Sequence, residues 1–583
     1  MPKKKIVVLL ALAAGSAQAM SEGEFDFFGQ KLQWGFTGYA RNYVSMNLQD
    51  KEQRRPNGGL AGMNPKAAKE IGGAGQMSMN RNVLKFEGFI DAGWARLTVV
   101  ERSAREILTP YLKNLQNSSA IVPARVSVRG VPRFDNTFIP LARGEKDFLG
   151  EYNSDELREI YVDFSIGPRL HFRLGRQQVA WGETDFLRAL DVVQGYDMRW
   201  RSFIETENEE LRKPGTMANI TFDIPEIEGS LQLLWRPGKI DAASDYGNSM
   251  DLFGGRWAPT PLQGMNITSW LTHPNYHHRE GDVDDDQYGL RWNGVFQQVG
   301  YSLAWWHGNA QNVVINCRRT LPGTSVVIAP DCHPWHGREP ELVLNEAFTG
   351  EMIWPEIDVF GATANAYLAP VDGVLRLEAA YVPNQPWNVG TQNFIGMRTL
   401  GEGMPGKLDR FPGIANRYLG MGLWVPGLSG VTEKDTLTTM VGFDKNLKLM
   451  KWLKTSRPSV ASLQVFDTWI LGDTKKADIV EVITYGAQRR EHSPLLTAGL
   501  FLNYDYDKIN PGLAFGVDLQ TGDAFATPQV NFAFGDHWRI LAEADLFFPQ
   551  ERKHYFGEKE TRTHALGTNA NNSQFMLRTS YQF

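Results

Sequence analysis

The final nine residues show the pattern that runs through the chain. In Phe575-Met576-Leu577-Arg578-Thr579-Ser580-Tyr581-Gln582-Phe583, one parity is Phe, Leu, Thr, Tyr, Phe and the other is Met, Arg, Ser, Gln. A period of two with one apolar face predicts a β-strand. The alternation recurs upstream. Ile160, Val162, Phe164 and Ile166 alternate with Glu159, Tyr161, Asp163 and Ser165. Leu170, Phe172 and Leu174 follow a Gly167-Pro168 turn and alternate with His171 and Arg173. Trp538, Ile540, Ala542, Ala544 and Leu546 alternate with Arg539, Leu541, Glu543, Asp545 and Phe547. Charge sits repeatedly on one parity. That parity faces water in a soluble sandwich and the lumen in a membrane barrel.

The connections help to choose between the two. Short turns (91–93, 167–168, 225–227, 369–373, 507–509, 535–536) alternate with long ones (47–79, 103–156, 180–214, 237–285, 308–356, 383–434, 472–494, 549–573). Outer-membrane barrels pair short periplasmic turns with long outer loops, and repeated long irregular loops are foreign to compact soluble domains. Strands are predicted near 32–46, 80–90, 94–102, 157–166, 169–179, 215–224, 228–236, 286–293 and 298–307. The rest fall near 357–367, 374–382, 435–444, 459–471, 495–506, 510–520, 525–534, 538–548 and 574–583. The expected fold is all-β: an antiparallel transmembrane barrel of about 16–18 strands, with some loops folded into the lumen. A short helix is expected around Leu447–Leu453. The final strand, with Tyr581 and Phe583, resembles the one that barrel assembly machinery reads.

Composition refines this picture. The chain has 583 residues, 42% hydrophobic and 22% charged, with mean hydropathy −0.34, so it is no disordered polymer. Lys3-Lys4-Lys5, the apolar run Ile6–Ala14 and Ala17-Gln18-Ala19 form a secretory signal pattern. Residues 1–19 are therefore expected to be a signal peptide cleaved near Ala19, and residues 20–583 a single barrel domain in the outer membrane of a Gram-negative cell. Beyond Ala19 no run approaches the roughly 18 apolar residues of a membrane helix. Net charge is −6 and no basic patch or RNP-like motif occurs, so no nucleic-acid partner is expected.

Four groups of residues carry candidate chemistry. Cys317 and Cys332 lie in one loop of an exported chain and read as a disulfide; a zinc site with His333 and His336 is the competing reading. His273, His277, His278 and Glu280 precede Asp282, Asp284, Asp285 and Asp286, which suits a cation or, without EF-hand spacing, a solvated loop. No Gly-x-Ser-x-Gly or His-Glu-x-x-His occurs, so no enzyme, cofactor or resident metal is expected. The segment Gly175-Arg176-Gln177-Gln178-Val179-Ala180-Trp181-Gly182-Glu183 ends a strand and opens a long loop. The stretch Asp197–Glu207, which includes Arg199, Trp200 and Glu205, mixes aromatic rings with both charges. Such a loop reads as a binding or gating element, or as a plug in which Arg176, Glu183, Arg199 and Glu205 pair with one another; the two are compatible, since a packed plug also shapes a pore.

The Gly-Arg-Gln…Trp-Gly-Glu run at 175–183, the text ending Glu210-Leu211-Arg212-Lys213-Pro214-Gly215, and the later Val441-Gly442-Phe443-Asp444, Trp452-Leu453 and Gln464-Val465-Phe466 resemble a proteobacterial outer-membrane family. It is the family of the domain of unknown function thirteen-zero-two. The resemblance implies a barrel encoded beside lipid exporters of the inner membrane and a periplasmic companion protein. It thus implies passage of a hydrophobic, lipid-like or sterol-like compound, and it implies no catalytic residues.

Expected lumen charges are Glu159, Asp163, Arg173, Arg376, Glu378, Arg539, Glu543 and Asp545, and they sit awkwardly with a greasy cargo. A porin for small hydrophilic solutes and a non-transporting surface or adhesin barrel are the alternatives. Expected partners are outer-membrane lipid, lipopolysaccharide, the assembly machinery, and the companion and exporter.

Overall fold

The computed structural model describes residues 21–50, 72–119, 148–184, 188–205, 207–251, 254–258, 263, 273–320, 326–327, 332–340, 350–391, 394–396, 398–399, 422–424, 427–455, 457–481, 488–550, 565–569 and 572–583. The proposed signal peptide lies outside them, and so does much of the 103–156 loop.

Nineteen strands build the wall. A short β1 (Ser21–Phe27) precedes β2 (Gln30–Asn47), β3 (Met77–Asp91), β4 (Ala95–Glu106), β5 (Ser154–Ile166), β6 (Leu170–Gln177), β7 (Gly215–Ile224) and β8 (Gly229–Arg236). Next come β9 (Gln287–Phe296), β10 (Val299–Asn309), β11 (Glu356–Leu368), β12 (Gly373–Val389), β13 (Gly430–Leu447) and β14 (Ser459–Ile470). The last are β15 (His492–Phe501), β16 (Ile509–Asp518), β17 (Ala524–Phe534), β18 (Trp538–Phe548) and β19 (Gln574–Gln582). From β2 onward each strand pairs antiparallel with the next. β19 pairs back onto β2, from Tyr39↔Gln582 to Asn47↔Gln574, which closes an 18-strand barrel. Closure leaves no long free edge.

Register puts Val44 opposite Leu577, Ile90 opposite Leu97 and Val162 opposite Leu174, all on the outer, apolar parity. Exposed aromatic rings stand at the strand ends: Trp94, Phe296, Tyr367, Phe534 and Trp538 at the short turns, Trp235, Tyr288 and Trp469 at the loop end. That is the girdle arrangement of a barrel in lipid. Each predicted strand falls on an observed one, and helix Met450–Leu453 occurs where a short helix was expected.

β1 was not predicted. It folds back on the lower half of β2, from Ser21↔Phe36 to Phe27↔Gln30, and covers the edge that β19 does not reach. Trp34 stacks on Phe36 and Phe36 on Phe86, which extends the outer aromatic surface down to this hairpin. Over the loop end, strands Val314–Cys317, Gly350–Ile353 and His273–Asn275 form a small separate sheet.

Candidate functional site: a plug inside the barrel

The segment between β6 and β7, residues 178–214, turns into the barrel instead of rising from its rim. Its first anchor is Trp181. The indole N–H donates to Gln232 at 3.0 Å, and the ring meets Trp306 edge-on. Trp181, Leu190 and Val193 pack with Met217, Leu234, Ala304, Val359 and Ala380, which are inward residues of β7, β8, β10, β11 and β12. The Glu183 and Leu190 backbone N–H groups donate to the Glu378 carboxylate, the former at 2.7 Å. Arg376 donates to the Glu183 carbonyl and pairs with Asp444 at 2.8 Å. Asn365 donates to the Glu183 carboxylate at 3.2 Å.

The segment then reaches the opposite wall. Trp200 packs edge-on against Tyr43 of β2, with the Arg81 guanidinium 4.9 Å from its ring centre. Arg201, only 1% exposed, pairs with Glu543 of β18 and lies 3.4 Å from Glu205 and 3.8 Å from Asp545. Glu207 pairs with Arg41 of β2 and Arg578 of β19, each at 2.7 Å. In helix Asn208–Leu211, Glu210 pairs with Arg102 at 3.2 Å and Lys85 at 3.7 Å and accepts from the Tyr39 hydroxyl at 2.5 Å. Arg158 donates to the Glu209 and Arg212 carbonyls at 2.6 Å.

A second loop clamps the first. Asp251 accepts from the Trp257 N–H at 2.8 Å, the Gly255 N–H at 3.2 Å and the Tyr152 hydroxyl at 3.2 Å. The Trp257 indole N–H donates to the Trp200 carbonyl at 2.8 Å. Arg256 pairs with Glu106 of β4 at 2.5 Å.

Burial and pairing shift these loop groups in opposite directions. Although burial opposes it, Arg102, Lys85 and Arg158 hold the Glu210 carboxyl at about 2. Burial pushes Asp251 up to about 6, with its N–H donors only partly offsetting the cost. Burial likewise pulls Lys213 down to about 8.

Most residues singled out from sequence are here, with different partners. Trp181, Glu183, Trp200, Glu205, Glu378, Glu543 and Asp545 all contribute to the plug or its seat. Arg176, Glu183, Arg199 and Glu205 do not pair with one another. Arg176 stands opposite Ile160, on the outward parity, and is held at the loop rim by Asp241 at 2.9 Å and Asp245 at 3.0 Å. Arg199 pairs with Asp197 at 2.7 Å. Glu159 accepts from the Gln178 side chain at 3.0 Å. Asp163 and Arg173 pair with each other at 2.7 Å, and Arg539 bonds backbone carbonyls beside the 535–536 turn; none of these three joins the plug.

Sequence reasoning missed the wall arginines Arg41, Arg81, Arg102, Arg158 and Arg236. Their signal was available, since Arg41, Arg81, Arg102 and Arg236 sit on the inward parity of their strands as Arg578 does. The cysteines are bonded to each other, with 5.9 Å between their Cα atoms, so zinc thiolates at these positions are excluded. In the His-Asp loop, His277, Asp282 and Asp284 bring ligand atoms within 4.8 Å of one another.

The wall itself is divided. Arginines seat the plug on β2–β5 and β19. From β13 to β16 most inward positions carry no charge: Thr436, Thr438, Met440 and Gly442, then Ser462, Gln464, Phe466 and Thr468, then Leu495, Thr497 and Gly499, then Gly512, Ala514 and Gly516; the carboxylates at either end of this stretch are Asp444, opposite Ser462 and paired with Arg376, and Asp518, opposite Leu495.

The family described as "Protein of unknown function (DUF1302)" matches residues 2–583. The chain belongs to that family. Solved structures similar to this DUF1302 barrel include a BenF-like porin from Pseudomonas fluorescens Pf-5, at 8% identity over 95% of this chain and 98% of that one, TM-score 0.38. Another is Pseudomonas aeruginosa OpdK with vanillate, at 9% identity over 94% and 98%, TM-score 0.37. Acinetobacter baumannii OccAB1 is similar at 9% identity over 94% and 96%, TM-score 0.37. No curated protein matches the sequence.

Proposed function

We propose that this DUF1302 protein carries a hydrophobic, lipid-like compound across the outer membrane of a Gram-negative cell, with segment 178–214 as the gate. One observation carries the reading. The plug's carboxylates cover the arginine side of the lumen, and the β13–β16 side beyond it is uncharged between Asp444 at one end and Asp518 at the other. Burying a charge without a partner is expensive, so a water-poor solute favours a wall that presents none. The lumen charges that argued against such a cargo are largely taken up by the plug.

A porin for small hydrophilic solutes is the second reading. It is favoured by the hydroxyl and amide groups of Thr436, Thr438, Ser462, Gln464 and Thr497, which offer hydrogen bonds to a polar solute. In either reading the signal at 1–19 is removed on export, lipopolysaccharide surrounds the barrel, and assembly machinery reads Tyr581 and Phe583. A periplasmic companion and an inner-membrane exporter supply or receive the cargo.

Single-channel conductance in a planar bilayer tests this, with the intact protein and with residues 180–214 deleted. The gate predicts a closed intact protein that opens on deletion. Large steady conductance in the intact protein would establish the porin reading instead.

A further inference from the structure

We infer that the β17–β18 seam is a lateral port through which the apolar cargo passes between lumen and outer-leaflet lipid, with Arg201 as its latch; this rests on the cargo reading above.

The pairing of β17 with β18 runs from Ala524↔Phe548 to Ala526↔Leu546 and resumes at Gln529↔Glu543. Thr527 and Pro528 are skipped, together with Ala544 and Asp545 across from them, and the register does not shift. Proline has no N–H to donate, which removes a rung of the ladder. Elsewhere in the described wall, gaps in pairing coincide with a bulge and a register change. Here the two strands stay aligned and lack the one rung that Pro528 cannot donate.

The outer face over the gap is thin. Ala526, Pro528, Ala542 and Ala544 share the outward parity, where neighbouring positions hold Leu513, Val530, Ile540 and Leu546. On the inner face, the Thr527 hydroxyl is buried, with Thr527 3% exposed, and has no hydrogen-bond partner among the described residues. On the loop side of the gap, Phe525, Phe547, Ile204 and Trp257 pack together with Phe203 against them, an apolar surface fit for an acyl chain or a fused ring. These features combine a ladder short of one rung, small side chains in the lipid and an aromatic surface inside.

Arg201 links this seam to the gate. It comes from the plug and pairs with Glu543, the first residue of β18 to regain its partner, while lying 3.8 Å from Asp545 within the gap. Withdrawing the plug therefore removes the ion pair that backs the seam and separates the apolar surface, since Ile204 and Phe203 leave with it. A solute freed in the lumen then faces the stretch of wall that lacks a rung and is covered outside only by small side chains.

The test is a cross-link. Ala526 and Leu546 face each other on the outer side, and directly opposed residues of an antiparallel pair lie close enough for a disulfide. Ala526→Cys with Leu546→Cys is expressed in whole Gram-negative cells. Uptake of the apolar dye N-phenyl-1-naphthylamine is measured before and after oxidation, alongside potassium chloride conductance of the purified protein. Oxidation is expected to abolish barrel-dependent dye uptake, reductant to restore it, and conductance to stay unchanged. Ala544→Trp, which fills the thin outer face without a cross-link, is expected to reduce uptake likewise. Undiminished uptake by the cross-linked protein would overturn the port and leave the cargo reading standing. Uptake no higher than in cells lacking the protein, in reduced and unmodified forms alike, would overturn both.

Discussion

Arg201 is enclosed with three carboxylates, Glu205, Glu543 and Asp545, and its charge is what makes their burial tolerable. Removing one partner of a buried ionic cluster costs about 3–5 kcal/mol, because the other side is left uncompensated. Arg201→Ala is therefore expected to undock the plug, and Glu543→Gln, which leaves two acids in place, to have the smaller effect. Protease cleavage of segment 178–214 in intact cells reads both, and equal cleavage of the two variants would contradict the ordering. Titration acts on the same assembly from two directions. Glu210 is held at about 2 against an ordinary 4.5, so its docking contribution is present above 4.5 and is lost as pH falls toward 2. Asp251 is raised to about 6 from 3.8, so its contribution is complete below 3.8 and is lost as pH rises through 6. Docking is expected to be tightest near pH 4, where the acid loss at Glu210 and the loss at Asp251 on raising pH balance, with conductance rising on both sides. Asp251→Asn removes the upper limb, so its conductance should stay level between pH 5 and 7 while the acid limb persists.

At the scale of elements, the disulfide and the strands make separate contributions. Cys317–Cys332 closes a loop with a sequence separation of 15, worth about 3 kcal/mol in the chain-entropy account. Cys317 ends a strand of the small sheet over the loop end and is not part of the barrel wall. Cys317→Ser is expected to raise proteolysis of loop 308–356 while heat-dependent gel migration of the barrel is unchanged. All 18 barrel strands were legible because lipid outside and a polar lumen impose a strict two-residue period. β1 was missed because Ser21–Phe27 is short and its acids Glu22, Glu24 and Asp26 look like an exported leader's polar end. The plug was legible only as composition. Trp200, Glu205 and Arg199 stood out as a charged aromatic run, but nothing local says that Arg41 and Arg578, 166 positions before Glu207 and 371 after it, receive the same carboxylate. Pairing across that distance is fixed by barrel closure and not by neighbouring sequence.

For the whole molecule, the division of the lumen into an arginine side and a side uncharged between Asp444 and Asp518 is the property most directly tied to cargo. Thr438→Arg places a charge on the uncharged wall, and it is expected to lower uptake of the apolar dye while making the conductance of the plug-deleted barrel more anion-selective. Unchanged uptake would show that the solute does not travel along β13–β16. A different consequence follows from the way the two chain ends share β2. Phe583 bonds with Gly38 in both directions and Ser21 stands opposite Phe36, so only Thr37 separates the two docking sites, and its hydroxyl bonds to the Phe583 carbonyl. A strand sliding by one residue would turn every lumen side chain toward lipid. With β1 already seated, the last strand meets a stop as it zips down β2, so the first strand made acts as the ruler against which the last is measured.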